Sequence, residues 1–204
     1  MHLYPKALEA RLGIRDFFRK HTQEEVLGTK VLVALLNPQF AELAGIDFRS
    51  YSKFYPATSQ TVFESAEKLL AEIGNGYDVV HLFCDVMPDG NIIDSGGRAI
   101  APTQLIKRCS ESDVKLLWIA SENKPEGYIK GFNAAGRSLN VVLTIDRKNF
   151  RFTSFIESLL RSMSSGETMP VAWVALSPQN ANDPRNQDAP ACIFAAGRGG
   201  VRLL

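Results

Sequence analysis

Runs of almost uninterrupted apolar residues constrain the fold of this chain more than any other feature of its sequence. A strand that is apolar on both sides needs cover on both sides, as strands have in a parallel sheet between two layers of helices. The runs therefore predict a sheet that is buried on both faces. Short β-rich runs lie at 30–36, 52–57, 77–83, 115–120, 140–145 and 192–196, and several of them are almost continuously apolar.

Amphipathic segments lie between these runs. Over 61–74, TVFESAEKLLAEIG, the apolar residues recur at the spacing of one helix face, and Thr61 and Glu64 have the spacing of a capping box. A second apolar stripe predicts a helix over 150–163, and a shorter helix is predicted at 127–136. Strands and helices in this order are typical of the α/β class, here a three-layer sandwich with a mainly parallel sheet.

Composition narrows the classes of function. The chain has 204 residues, enough for one domain with a developed core, and a net charge of +1. This charge argues against a nucleic acid or an anionic membrane as partner. No apolar run approaches the roughly 20 residues that span a bilayer. An odd number of cysteines without a signal peptide fits a reducing cytoplasm, where we expect the protein to lie.

No pattern in the sequence indicates a cofactor or a metal ion. The glycines of 197–200 lack the spacing of a phosphate-binding loop, and no Gly-x-Gly-x-x-Gly follows a predicted strand. The three cysteines, Cys84, Cys109 and Cys192, are widely separated and form no zinc pattern with histidines. We therefore expect neither a cofactor nor a metal site.

Polar residues follow the predicted strands 77–83 and 115–120, and ligands of open α/β sheets bind beyond such carboxyl ends. The segment 87–97, MPDGNIIDSGG, predicts a small hairpin that projects from the end of the first of these two strands. The candidate cleft comprises His81, Asp85, Val86, Asp89, Ser121, Glu122, Asn123 and Asp146.

The segment YDVVHLFCDV contains two residues of reactive type: His81 lies within the predicted strand, and Cys84 lies at its end. Alternation along a strand puts His81 and Asp85 on one face and Cys84 on the other. His81 is two residues short of the strand end, roughly 6–7 Å from it. We expect a buried, neutral, hydrogen-bonded histidine, with a catalytic base as the alternative. Cys84 is expected as a small buried hydrophobe, with a reactive thiolate as its alternative.

The same segment resembles a known family. Residues 77–97 are similar to the motif of CHAT domains, caspase-like peptidases in which a strand reads roughly Tyr-Asp-x-x-His-x-x-Gly-His-Gly and a hairpin follows. Residues 115–146 resemble the next block, a strand ending in Ala-Cys-x-Ser, a helix and a Val-rich strand. Residues 152–176 and 188–199 resemble the helical continuation and the closing strand. The resemblance covers about residues 30–200 and implies a caspase-like domain. We therefore expect a single domain over 1–204, with 1–29 as an N-terminal helical extension that the resemblance does not cover.

The departures from the family pattern concern catalysis. The general base of the family, the second histidine, falls on Asp85, and the glycine after it falls on Val86. The nucleophilic cysteine falls on Ser121, while His81 matches only the first histidine, which is not catalytic. A serine needs a working base, and a carboxylate with a pKa near 4 in water is a poor one. The resemblance therefore implies a caspase-like fold without peptidase activity.

We expect a catalytically inactive interaction or regulatory module that binds a protein partner, in the bacterial signalling or anti-phage defence setting that the resemblance implies. One alternative is a hydrolase with a rearranged site in which Ser121 is the nucleophile, assisted by His81 or Asp85. Another is a sensor of a nucleotide or a metal ion, although Asp89-Gly90-Asn91 is more typical of a plain turn. The sequence leaves the partner and the oligomeric state open.

Overall fold

The structure is a computed structural model, and it describes residues 24–120, 139–144, 151–178, 182–187, 192–198 and 200–204. The strands are β1 (Glu24–Val26), β2 (Lys30–Leu35), β3 (Ala57–Val62), β4 (Val79–Phe83), β5 (Asp85–Val86), β6 (Ile92–Ile93), β7 (Ala99–Ile100), β8 (Leu116–Ala120), β9 (Asn140–Thr144), β10 (Cys192–Ala196) and β11 (Val201–Leu203). The helices are α1 (Ala41–Ser52), α2 (Ala66–Ile73), α3 (Pro102–Glu111), α4 (Arg151–Ser164) and α5 (Met169–Leu176), with 3₁₀ turns at Pro38–Phe40 and Pro184–Gln187.

A six-stranded sheet with the order β10-β9-β8-β4-β2-β3 forms the centre of the fold. Five neighbouring strands, from β9 to β3, run parallel, and β10 pairs with β9 in the antiparallel direction. The prediction of an α/β sandwich with a mainly parallel sheet is therefore confirmed. The continuously apolar runs β4 and β8 occupy the middle of the sheet, where all five residues of each strand are buried.

Helices cover both faces of this sheet. On one face, Val33, Trp118 and Val142 belong to a core that includes residues of α1, α4 and α5. On the other face, Leu82 and Ile119 belong to a second core with residues of α2 and α3. Neighbouring residues of one strand thus enter different cores, because strand side chains alternate between the two faces. This arrangement explains why the strands needed apolar residues at nearly every position.

Two small sheets complete the described part of the chain. The antiparallel sheet β5-β6-β7 follows β4 directly, so the predicted hairpin at 87–97 is present and gains a third strand. A parallel pair joins β1 to β11, with Val26 opposite Leu203. The last residues of the predicted extension 1–29 thus include a strand, while its helical segment 7–18 lies outside the described residues.

The prediction of a strand at 52–57 is wrong in its placement. Ser52 is the last residue of α1, and the strand β3 begins only at Ala57. The aromatic residues of this segment are Phe54 and Tyr55, which lie in the turn after α1. Tyr55 is buried in the core, and Phe54 packs against the same core. Aromatic residues favour strands because they are buried on a sheet surface, but the end of a helix and the turn after it can bury them as well.

The predicted start of the next helix is also wrong. Thr61 belongs to β3, and α2 begins at Ala66 behind the N-cap Ser65, whose hydroxyl accepts a hydrogen bond from the Lys68 amide at 3.3 Å. Glu64 pairs with the Lys68 side chain instead of completing a capping box. The helix predicted at 150–163 is confirmed as α4, and the one predicted at 127–136 lies outside the described residues.

Among the described helices, none combines the length and the apolar character needed to cross a bilayer.

The same substitution at a buried and at an exposed leucine tests how much core packing contributes to the free energy of unfolding. We expect Leu69→Ala to lower the free energy of unfolding by about 2–5 kcal/mol, because Leu69 is fully buried between α2 and the sheet. Leu27→Ala removes the same atoms from a side chain that is 78% exposed, and we expect a change below about 0.5 kcal/mol. Urea denaturation measures both, and equal losses in the two variants would contradict this assignment of the core.

Candidate functional site

The carboxyl ends of the three adjacent strands β2, β4 and β8 lie side by side at one edge of the sheet. The Leu36 amide donates to the Phe83 carbonyl at 2.9 Å, and the Cys84 amide donates to the Ala120 carbonyl at 3.4 Å. These bonds continue the ladder one residue beyond β2 and β4. The next residues along the chain, Asn37 and Asp85, therefore leave the sheet side by side.

Asp85 is half-buried at this edge and accepts hydrogen bonds from two side-chain amides. Asn37 Nδ2 donates to Oδ2 of Asp85, and Gln39 Nε2 lies 3.3 Å from Oδ1 and 3.4 Å from Oδ2. The Asn37 oxygen accepts the Gln39 backbone amide at 3.0 Å and so caps the 3₁₀ turn. Within the described residues no basic side chain forms an ion pair with Asp85, so its partners there are neutral donors.

His81 lies deeper in the sheet and is fully buried. Its Nδ1 is 3.3 Å from the Tyr51 hydroxyl, and its Nε2 is 3.5 Å from Oδ2 of Asp47, both on α1. Its ring stacks on Phe83 at 4.9 Å and on Trp118 at 5.5 Å between centroids. The expectation of a buried, hydrogen-bonded histidine is confirmed, and His81 does not line an open cleft.

The thiol of Cys84 points into the opposite core. It is fully buried beside α3, and this burial, together with the charge of Asp85, raises the pKa of Cys84 far above its usual range. A protonated thiol is a poor nucleophile. The structure therefore agrees with the prediction that Cys84 is a small core residue. Val86, placed in the candidate cleft by the sequence, is likewise buried in this core, so it does not line the cleft.

The turn between β5 and β6 is closed by its own residues. Asp89 Oδ1 accepts the Asn91 backbone amide at 2.9 Å, and Asp89 Oδ2 accepts the Asn91 side-chain amide at 2.8 Å. Gly90 adopts a φ of 90°, a conformation that side chains other than glycine rarely take. The residues Asp89-Gly90-Asn91 therefore form the plain turn that their sequence is typical of.

Asp94 has a structural role in the same small sheet. Its buried carboxylate accepts the backbone amides of Arg98 and Gly96 at 3.0 Å and that of Ala66 at 3.2 Å. The backbone hydrogen bond from Arg98 is the largest cause that lowers the pKa of Asp94, and the Arg98 charge adds to it. Asp94 thus ties the turn after β6 to the first residue of α2.

The structure describes only part of the predicted cleft. Asp85 lies at the sheet edge and Asp89 in an exposed turn, while Ser121, Glu122, Asn123 and Asp146 lie outside the described residues. Sequence reasoning missed Asn37 and Gln39, which hold Asp85. The signal was available, because Asn37 directly follows the apolar run of β2, as Asp85 follows that of β4.

No group of three or more histidine, cysteine, aspartate or glutamate side chains with the geometry to bind a metal ion occurs in the described part of the chain. At the carboxyl ends of β2 and β4, the Asp85 carboxylate lies beside the side-chain amides of Asn37 and Gln39. These three side chains can accept hydrogen bonds from a ligand or donate them to it, but none of them is an imidazole or a thiolate.

Comparison of the chain with protein-family models and with curated proteins found no match.

Burial of Cys84 and Cys109 predicts slow alkylation of both thiols. Burial raises the pKa of Cys109 to about 12, and it raises the pKa of Cys84 as well. At pH 8 we expect iodoacetamide to modify these two thiols more slowly in the folded protein than in the urea-unfolded protein, by a factor on the order of 10³, because the thiolate fraction falls with rising pKa. Mass spectrometry of timed samples measures both rates. Rapid labelling of Cys84 in the folded protein would contradict its placement.

The lowered pKa of Asp94 predicts a pH-dependent contribution to stability. A group with a lower pKa in the folded state stabilises it above the unfolded pKa of about 3.9, and this stability is lost as the pH falls through the folded pKa. We expect Asp94→Asn to lower the free energy of unfolding by about 1–3 kcal/mol at pH 7, and by less at pH 3. Urea denaturation at both pH values measures the difference. Asp89→Asn, in the exposed turn, is the matched control, and an equal loss in both variants would contradict the role of Asp94.

Proposed function

We propose that this chain is a non-catalytic, caspase-like domain related to CHAT peptidases, and that it binds a protein partner at the carboxyl edge of its sheet. The order of elements supports the relation: a buried strand with a histidine, a small antiparallel sheet directly after it, an apolar strand ending in Ala120, and an antiparallel closing strand. These are the elements, in sequence order, that the resemblance of residues 77–97, 115–146 and 188–199 implies.

The main support for the proposed absence of catalysis is the environment of Asp85. Asp85 stands at the position of the family's general base, and its oxygens accept hydrogen bonds from Asn37 and Gln39. Taking a proton from a nucleophile would compete with these bonds. His81, the single histidine among the described residues, is buried in the sheet on the side of α1, where it contacts Asp47 and Tyr51. It therefore has no access to a substrate.

The same edge supports binding. The Asp85 carboxylate is half-buried and has neutral partners, so its negative charge is available to a basic side chain of a protein partner. The flanking amides of Asn37 and Gln39 hold the carboxylate in one orientation, which reduces the entropy lost on binding. The family resemblance places such a module in a bacterial signalling or anti-phage defence system.

Peptide cleavage tests the absence of catalysis. We expect the purified protein to cleave no member of a fluorogenic peptide library above the buffer rate, because Asp85, where the family has its histidine base, is a poor base for a serine hydroxyl. The Ser121→Ala variant is expected to behave in the same way. Cleavage by the wild-type protein that Ser121→Ala abolishes would overturn the proposal and support a serine hydrolase instead.

Affinity capture from the native cells tests whether a partner binds at the carboxyl edge of the sheet. A charge-reversing variant at this edge is compared with one elsewhere on the molecule. We expect wild-type protein to retain a stoichiometric partner and Asp85→Arg to lose it, because the substitution reverses the charge. Glu111→Arg is the matched control, since Glu111 ends α3 near the opposite edge of the sheet. Retention of the partner by folded Asp85→Arg would exclude this surface.

A further inference from the structure

The turn that joins α2 to β4 contains the sequence Asn75-Gly76, and no other asparagine of the chain is followed by glycine. Asn75 and both flanking glycines, Gly74 and Gly76, are exposed. Asparagine is among the chemically labile residues of proteins. The backbone nitrogen of the next residue can attack its side-chain carbonyl carbon, and glycine hinders this attack least because it has no Cβ. The turn therefore combines an accessible asparagine with the most reactive neighbour.

The surroundings of Gly76 leave its backbone nitrogen accessible. Gly76 has a φ of 80°, and a Cβ added at this position would meet no atom beyond its chain neighbours within 4 Å. No described residue accepts a hydrogen bond from the Gly76 N–H. A backbone N–H that is held in a hydrogen bond must first break this bond, so its absence at Gly76 favours the attack.

The one aspartate of the chain that precedes a glycine, Asp89, lies in a turn that opposes the same chemistry. Its two oxygens accept the backbone and side-chain amides of Asn91 at 2.9 and 2.8 Å. The Gly90 N–H donates to the Met87 carbonyl at 2.8 Å. Asn91 itself is followed by a β-branched isoleucine, which hinders the attack. Asn75 thus differs from both residues in the freedom of the nitrogen that follows it.

We propose that Asn75 is a site of spontaneous deamidation. The Gly76 nitrogen loses its proton and bonds to Cγ of Asn75, the bond from Cγ to Nδ2 breaks, and ammonia leaves after it takes up a proton from water. The product is a cyclic succinimide. Water then attacks one of its two carbonyls and opens the ring, which gives aspartate or, when the backbone carbonyl is attacked, isoaspartate. In both products water has replaced ammonia, and no atom is oxidised or reduced.

Deamidation removes an attractive contact at the end of α2. Asn75 Nδ2 donates to Oε2 of Glu72 at 2.9 Å, and the Tyr77 hydroxyl donates to Oε1 of Glu72 at 2.6 Å. A carboxylate at position 75 has no proton to donate to Glu72, and its negative charge repels that side chain. It also lies beyond the carboxyl end of α2, where a negative charge is unfavourable. The modification therefore loosens the end of a helix whose last residue, Ile73, is buried in the core.

Peptide mapping by mass spectrometry tests the site itself. The purified chain is incubated at pH 8 and digested at intervals, and the products at each asparagine are quantified. We expect conversion at Asn75 to be faster than at every other asparagine, with isoaspartate detected by enzymatic methylation of its carboxylate. Asn75→Gln is the matched control, since its longer side chain forms the cyclic intermediate far more slowly, and we expect no reaction there. Conversion at Asn75 no faster than at Asn91 would overturn the proposal.

The melting temperature tests the effect of the new charge on α2. We expect Asn75→Asp, which reproduces one product, to melt below wild type, and Asn75→Gln, which keeps an amide donor, to melt near it. Adding Glu72→Gln to Asn75→Asp removes the repulsion and is expected to recover part of the loss. Equal melting temperatures of Asn75→Asp and wild type would overturn the inferred loosening of α2. The turn precedes β4 and Asp85 follows it, so neither result bears on peptide cleavage or on capture through Asp85.

Discussion

The structure depends on burying parallel strands on both faces. Every backbone N–H and C=O of a buried strand must be paired, and every side chain must meet a covering layer. For β4 and β8, both requirements are met by neighbouring strands on each side and by helices above and below. The crossovers that return each strand to the same direction also bring the carboxyl ends together, and so they create the edge where Asp85 meets Asn37.

A buried polar group at the centre of such a sheet needs partners, and α1 supplies them. His81 occupies a row across the sheet between Val33 and Trp118, where every neighbour on its own face is apolar or aromatic. Asp47 and Tyr51 on α1 offer the polar atoms that the strands do not. The histidine therefore belongs to the packing between sheet and helix, whereas Asp85 is half-buried at the carboxyl ends of the strands.

The sequence predicted the sheet far better than it predicted the helices and the site. Almost uninterrupted apolar runs identified β2, β4, β8 and β9. The helix α1 was missed because Gly45 and several polar residues obscure its periodicity. Its stability comes from packing on the sheet and on α4, which the local sequence does not show. The short α3 was missed although Pro102 stands at its first turn. At the site, the position of Asp85 could be predicted from β4 alone. Its partners Asn37 and Gln39 could not, because they follow β2, and only the strand order shows that β2 lies next to β4.

The sequence by itself determined the class of fold, the burial of His81 and Cys84, and the presence of an aspartate, Asp85, directly after the apolar run of β4. Each of these follows from local pattern, since apolar runs, strand alternation and residue identity need no distant contact. Only the tertiary structure decided that Asn37 and Gln39 hold Asp85, that Asp94 fastens the small sheet to α2, and that β3 pairs with β2 alone among the described strands. These relations join residues far apart in the chain, and strand order alone brings them together.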